Sequence, residues 1–316
     1  MRVRDLLSII LCIIVLAAVM FGLMYYRSQK NTETFSPVEV DAIPRFLYNI
    51  YEGKTKLAKP MAITEDRNGL IYVSNNDGHN IEVFSTNGKS RRSLGGQGQL
   101  PGKFLYPYGL GVLPSGNLLV SETGNFRVQE ITPDGQYVRT FVGPKNSLGL
   151  TKPGPICVDS QGNIYIGDIS GSQVLVLNQN AKLLHRISNV SYPHGIAVDE
   201  KNQKLYISDA KEVKVKVFLL GQPEKGPIAA IDNYLPGERF GMLRGLAVDN
   251  LGRLYVVDTI TNAVRVFDKN GNYLFSFGRQ GFDDGEFLYP NQIFIDNSGR
   301  ILISDWGNNR VEVWGY

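Results

Sequence analysis

Four side chains of unlike chemistry occupy one position of a recurring phrase. Tyr108, His194, Arg244 and Asn291 each follow the residue that opens an apolar run, and Met61 and Gly154 complete the column. A phenol, a titratable imidazole, a fixed cation and an amide together suit a small anionic or polar ligand. The column does not repeat, so the phrase itself does not dictate it; the competing reading is a wetted surface with no specific ligand. A second column behaves differently. Asn75, Glu122, Asp168, Asp209, Asp258 and Asp305 are acidic in five of six copies. Such recurrence suggests metal ligands less than scaffold carboxylates that accept from backbone or arginine donors of their own repeat, with Glu122–Arg127 and Asp305–Arg310 as pairs.

The elements that must position these columns follow from the repeat. Its copies start at Pro60, Pro107, Pro153, Pro193, Leu243 and Pro290, spaced by 47, 46, 40, 50 and 47 residues. That period fits one four-stranded propeller blade per copy. Gly245-Leu246-Ala247-Val248 reads as an inner strand buried on both faces and Leu254-Tyr255-Val256-Val257 as the second strand. Val264-Arg265-Val266-Phe267 alternates as a third strand, and Asn270-Gly271 turns the chain into a fourth, because Asn-Gly accepts positive φ. The first strand column is therefore expected to ring one mouth of a central channel. The last copy reaches Tyr316 after its third strand, which would leave an unpaired edge. Residues 44–53 resemble a fourth strand and are expected to pair with Val311-Glu312-Val313-Trp314, closing a ring of six blades.

The linker phrases from Gly98 to Pro107 and from Gly281 to Pro290, with Asp305-Trp306-Gly307-Asn308-Asn309-Arg310-Val311, resemble the NHL-repeat family of propellers over about residues 44–316. The resemblance implies an all-β, six-bladed β-propeller, and it leaves function open among binding platforms, RNA readers and occasional enzymes. Some propellers of this architecture resemble peptide-amidating lyases, whose histidines from different blades hold zinc. Here His79 falls in a loop, His185 in an outer strand and His194 at the mouth, so three histidines are not expected to meet. Lactonase-like propellers hold a hard cation with carboxylates and amides, and the mouth column offers Asn291 without a carboxylate. No nucleophile elbow, His-Glu-x-x-His or phosphate loop is present. No catalytic residue, metal or cofactor is assigned.

Before the repeats, residues 6–26 are uncharged and long enough to cross a membrane, with Tyr25, Tyr26 and Arg27 at one end as interface anchors. The expected organisation is a short segment 1–5, a transmembrane signal anchor 6–26, a polar linker 27–43 and the propeller 44–316. A cleaved signal peptide is the competing reading of the same run. N-in, C-out orientation would make the propeller extracytoplasmic. The chain carries 33 Lys and Arg against 30 Asp and Glu, a net charge of only +3 over 316 residues. A near-neutral propeller does not carry the basic footprint of a nucleic-acid binder, although Arg91, Arg92, Lys211, Lys214 and Lys216 could form a local patch. The partner expected is a protein, peptide or cell-envelope ligand taken on one face; the alternative is a metal-dependent hydrolase or lyase acting at the channel mouth. Exposed aromatics such as Tyr106, Tyr108, Tyr289 and Trp306 would anchor a partner there, unless they pack into the core.

Overall fold

The computed structural model describes residues 43–51, 54–235 and 237–316. The expected span over 6–26 and nearly all of the linker lie outside the described residues. Among the described residues no helix is long and apolar enough to cross a membrane.

Repeats 1 to 5 each form one antiparallel sheet of four strands in sequence order, and the sixth supplies three strands of a sixth sheet. Blade 2 shows the pattern, running through Pro107–Val112, Leu118–Glu122, Arg127–Ile131 and Tyr137–Val142. Second strands such as Leu118–Glu122 are wholly buried because both faces lie against neighbouring blades. The core sits between sheets: Tyr72, Ile81 and Val83 of blade 1 meet Leu110, Leu118 and Val120 of blade 2. Each fully buried aliphatic or aromatic side chain of this kind contributes about 1.5–3 kcal/mol.

Blade 6 takes its inner three strands, Pro290–Ile295, Ile301–Asp305 and Arg310–Gly315, from the end of the chain and its outer strand, Arg45–Ile50, from the beginning. The register runs from Arg45 opposite Gly315 to Ile50 opposite Val311, with one irregularity between Phe46 and Tyr48. Phe46 meets Trp314 edge-on at 6.1 Å, and Phe277 of blade 5 packs on the same indole at 4.8 Å. The inner strands of blades 6 and 1 also pack together, so the circle is complete.

Blade 4 departs from the pattern. Its fourth strand shrinks to Ala229–Ile231, preceded by a 3-10 turn at Pro223–Lys225 and followed by a small hairpin, Asn233–Leu235 with Glu238–Arg239. This insertion explains the longest interval between repeat starts. Within the basic patch, Lys216 is buried and bonded to Asp209 at 2.8 Å and Glu212 at 2.9 Å and Lys214 approaches Glu212, while Arg91 and Lys211 are exposed.

Candidate functional site

The mouth is built by a bulge at the start of each inner strand. In blades 1 to 6 the pairing with the second strand shifts register just after its first residue. Two residues on, the freed N–H donates to a serine Oγ on the second strand in four blades: Ala62 to Ser74 at 2.8 Å, Gly109 to Ser121, Gly195 to Ser208 and Gln292 to Ser304, each at 2.7 Å. Ser74 and Ser121 then donate onward to the carbonyls of Tyr108 and Gly154 in the next blade. A bulge re-aims the residue it contains, and here that residue is the variable column.

Small side chains let the inner strands converge. A Cβ on Gly195 would collide with the carbonyl oxygen of Arg244, and one on Gly245 would lie 2.7 Å from the Cα of Gln292. The corresponding positions are Ala62, Gly109, Pro155, Gly195, Gly245 and Gln292. Gln292 is the long exception, and it reaches across the axis.

Three alternate blades therefore meet in the channel. The Tyr108 hydroxyl of blade 2 lies 2.9 Å from Nδ1 of His194 in blade 4, and Nε2 of Gln292 in blade 6 donates to the His194 carbonyl at 2.6 Å. The Arg244 cation and the Gln292 amide also lie beside the phenol and favour its ionised form. The tautomer of the ring sets whether the phenol donates to Nδ1 or accepts from it. Burial, reinforced by the cations Arg244 and Lys152, pushes the His194 pKa down to about 3, so the ring is neutral at ordinary pH. Burial likewise raises the Tyr108 phenol.

Above this crossbar is a cavity of about 450 Å³ lined by Met61, Tyr108, His194, Arg244 and Asn291, that is, by the variable column, together with Lys152, Trp306 and neighbouring loop residues. None of its lining side chains is acidic. Below lies a second space of about 320 Å³ bounded by the inner strands, with Glu65 and Cys157 on its wall. Burial pushes the Cys157 thiol up to about 12, which leaves it protonated and inert. Tyr108 borders both spaces, so the crossbar separates them.

The rim is held by an unusual backbone. Lys59, Tyr106, Tyr192 and Tyr289 adopt φ between 50° and 55°, each directly before the proline of an inner strand. Left-handed conformations cost bulky residues energy and need support from outside. That support comes from the neighbouring blade: the Tyr106 N–H donates to Nδ1 of His79, the Tyr289 N–H to Oδ1 of Asn262 at 2.7 Å, and the Lys59 N–H to Oδ1 of Asn309 at 2.9 Å. Three tyrosines consequently stand out of the mouth face, each more than 40% exposed, with the Lys59 ammonium 4.0 Å over the Trp306 ring.

The structure brings all four sequence-selected residues, Tyr108, His194, Arg244 and Asn291, to one cavity. It also corrects one expectation: Tyr108 is only 6% exposed, because the bulge turns its ring to the axis, and it forms floor rather than rim. Tyr106 and Tyr289 are exposed rather than packed into the core, and Trp306 lines the cavity half-buried. Sequence reasoning missed Gln292, Lys152 and Tyr192. Gln292 was signalled as the only long residue in a small-residue column, and Tyr192 as a third tyrosine aligned with Tyr106 and Tyr289.

The remaining candidates are structural. Glu122 accepts from Arg127 at 2.6 Å, Asp305 from Arg310 at 2.9 Å, and Asp168 from the backbone of Thr151 and Lys152. His185 lies 2.7 Å from Glu224 on an outer edge. Among the described residues no three His, Cys, Asp or Glu side chains cluster as a cation would require.

The fold and this axial cavity define a six-bladed β-propeller. A family model described as a 6-bladed beta-propeller matches residues 241–314. Protein brain tumor of Drosophila melanogaster is 26% identical over 141 residues, covering 44% of this chain and 13% of that protein. NHL repeat-containing protein 3 of Homo sapiens is 26% identical over 176 residues, half of each chain. The chain thus spans half or less of the length of these two relatives. Among solved structures, a gluconolactonase from Xanthomonas campestris superposes with a TM-score of 0.67 over 88% of this chain and 96% of its own, at 16% identity. The likeness at that identity is one of fold.

Proposed function

We propose that the propeller is a binding platform that takes a protein, peptide or cell-envelope ligand on its mouth face, held at a membrane by residues 6–26 with the propeller extracytoplasmic. One observation carries the reading: the inner-strand column that holds a phenol, an imidazole, a guanidinium and an amide lines one open cavity, beneath a rim of exposed tyrosines. Rim loops on a rigid ring can diversify without disturbing blade packing, and protruding aromatic side chains anchor partners. The similarity to NHL-repeat proteins supports a platform over an enzyme without naming a ligand.

A photo-crosslinking residue placed at Tyr289 or Tyr192 of the full-length chain in cells should give discrete adducts, and one at Tyr137 on the outer edge of blade 2 should not. Equal yields from rim and edge would remove the platform reading. A reporter fused after Tyr316 should be active outside the cytoplasm; activity only inside would reverse the topology.

A metal-dependent hydrolase or lyase remains the second reading, favoured by the fold likeness to a gluconolactonase. It must contend with a cavity whose oxygen ligands are amides and hydroxyls. Stoichiometric metal in the purified chain, with an activity lost on His194→Ala, would replace the platform.

A further inference from the structure

The arginines that brace the blades are paired. Arg127, Arg253, Arg300 and Arg310 each meet a carboxylate of their own blade at 2.6–2.9 Å. Arg244 differs. It is half-buried in the wall of the mouth cavity, its Nε finds no acceptor, and no acidic side chain lines the space it faces. A guanidinium taken partly out of water without a counter-ion is a cost that an incoming anion would relieve.

Its neighbours supply donors rather than competing charges. Lys152 brings a second cation to the same wall, and the fields of both reach His194. The imidazole has Nδ1 engaged by Tyr108, which leaves Nε2 to meet a ligand. Asn291 is 95% buried at the cavity, and its Oδ1 has no donor, so the amide is not pinned by its oxygen and can turn an N–H toward a ligand. The crossbar of Tyr108, His194 and Gln292 closes the floor, so a ligand enters from the rim only and enters by one end.

We propose that the mouth is a carboxylate socket. Arg244 and Lys152 hold the carboxylate of an acid inserted head-first beside His194 and Asn291, and the rest of the ligand lies outward against the rim tyrosines and Trp306. The planar two-oxygen head matches the guanidinium fork, and a space of about 450 Å³ accepts a small hydroxy acid or the last residue of a chain. The inference rests on the mouth face being the ligand face and adds the chemistry of what is bound.

The test is thermal stability and calorimetric binding of the full-length chain at constant ionic strength. Malate and galacturonate are compared with malamide and galactose, and random hexapeptides with free C-termini are compared with the same peptides amidated. Acids of at least one kind should raise the melting temperature while their neutral counterparts do not, and Arg244→Met and Lys152→Met should each weaken binding by about tenfold or more. Lys152 sits at the cavity edge on a flexible stem, so its variant keeps the test open if Arg244→Met fails to fold. Action by small acids alone would identify a free solute, and action by peptide acids alone a chain end. No acid acting, acid and neutral forms acting equally, retention of binding in both variants, or inorganic phosphate acting where no acid does would each overturn the socket. Rim crosslinks that persist in any of those cases would leave the platform intact and remove only the carboxylate.

Discussion

His194 shows how one residue's environment decides its chemistry. Exposed imidazoles share protons near neutrality, but this ring is enclosed beside two cations and stays neutral down to about 3. An unfolded chain would take up that proton near 6.5, so acid favours unfolding between those two values and the native state loses stability as pH falls through that window. The expected outcome is that His194→Gln flattens the acid side of the melting-temperature profile relative to the parent. Identical slopes would mean the ring titrates normally. Glu312 carries the opposite sign. It is fully buried near Arg310, which also serves Asp305, and it accepts from the Trp314 indole at 2.9 Å. One cation does not offset two buried carboxylates, and burial pushes Glu312 from 4.5 up to about 8. The folded chain therefore keeps a proton that the unfolded chain has lost, and stability from this group declines as pH rises from 4.5 through 8. Glu312→Gln should retain its melting temperature between pH 5 and 8 where the parent falls; a parallel fall in both would refute the assignment.

At the scale of the element, the inner strand does most of the positioning. Its bulge aims one residue at the mouth, its serine bridge ties the bulge to the next blade, and its small residue permits the close approach of the neighbouring strand. Gly195→Ala tests the last of these, because the added methyl meets backbone that cannot rotate away. It should cost about 1–3 kcal/mol, read as a lowered denaturant midpoint, and an unchanged midpoint would show that the strands can separate. The same strand explains what sequence could and could not reveal. Blade period, strand order and the variable column were legible because hydrophobic alternation and turn glycines repeat. The burial of Tyr108 was not, because it depends on a register shift that periodicity does not record. Lys152 escaped notice because it precedes its proline and so falls outside the column read as the channel mouth.

For the whole ring, the closing strand Arg45–Ile50 should matter more than its length suggests. Deleting residues 44–53 removes the partner of Arg310–Gly315 and leaves the packed Phe46–Trp314 contact unmade. The intact chain should melt in a single transition with coincident fluorescence and circular dichroism, since each blade's core is shared with its neighbours. The deletion should lower the melting temperature markedly and separate the two signals, as an open array of repeats loses cooperativity. An unaltered single transition would show that the circle needs no such latch.

That latch also fixes an order of events during synthesis. The strand Arg45–Ile50 has no partner until the ribosome has delivered residues 310–315, so it stays unpaired while the repeats between are made. A polypeptide interrupted anywhere before that point exposes two raw edges at once, one on each flank of the unfinished wheel, and offers quality-control machinery a signal that production was cut short.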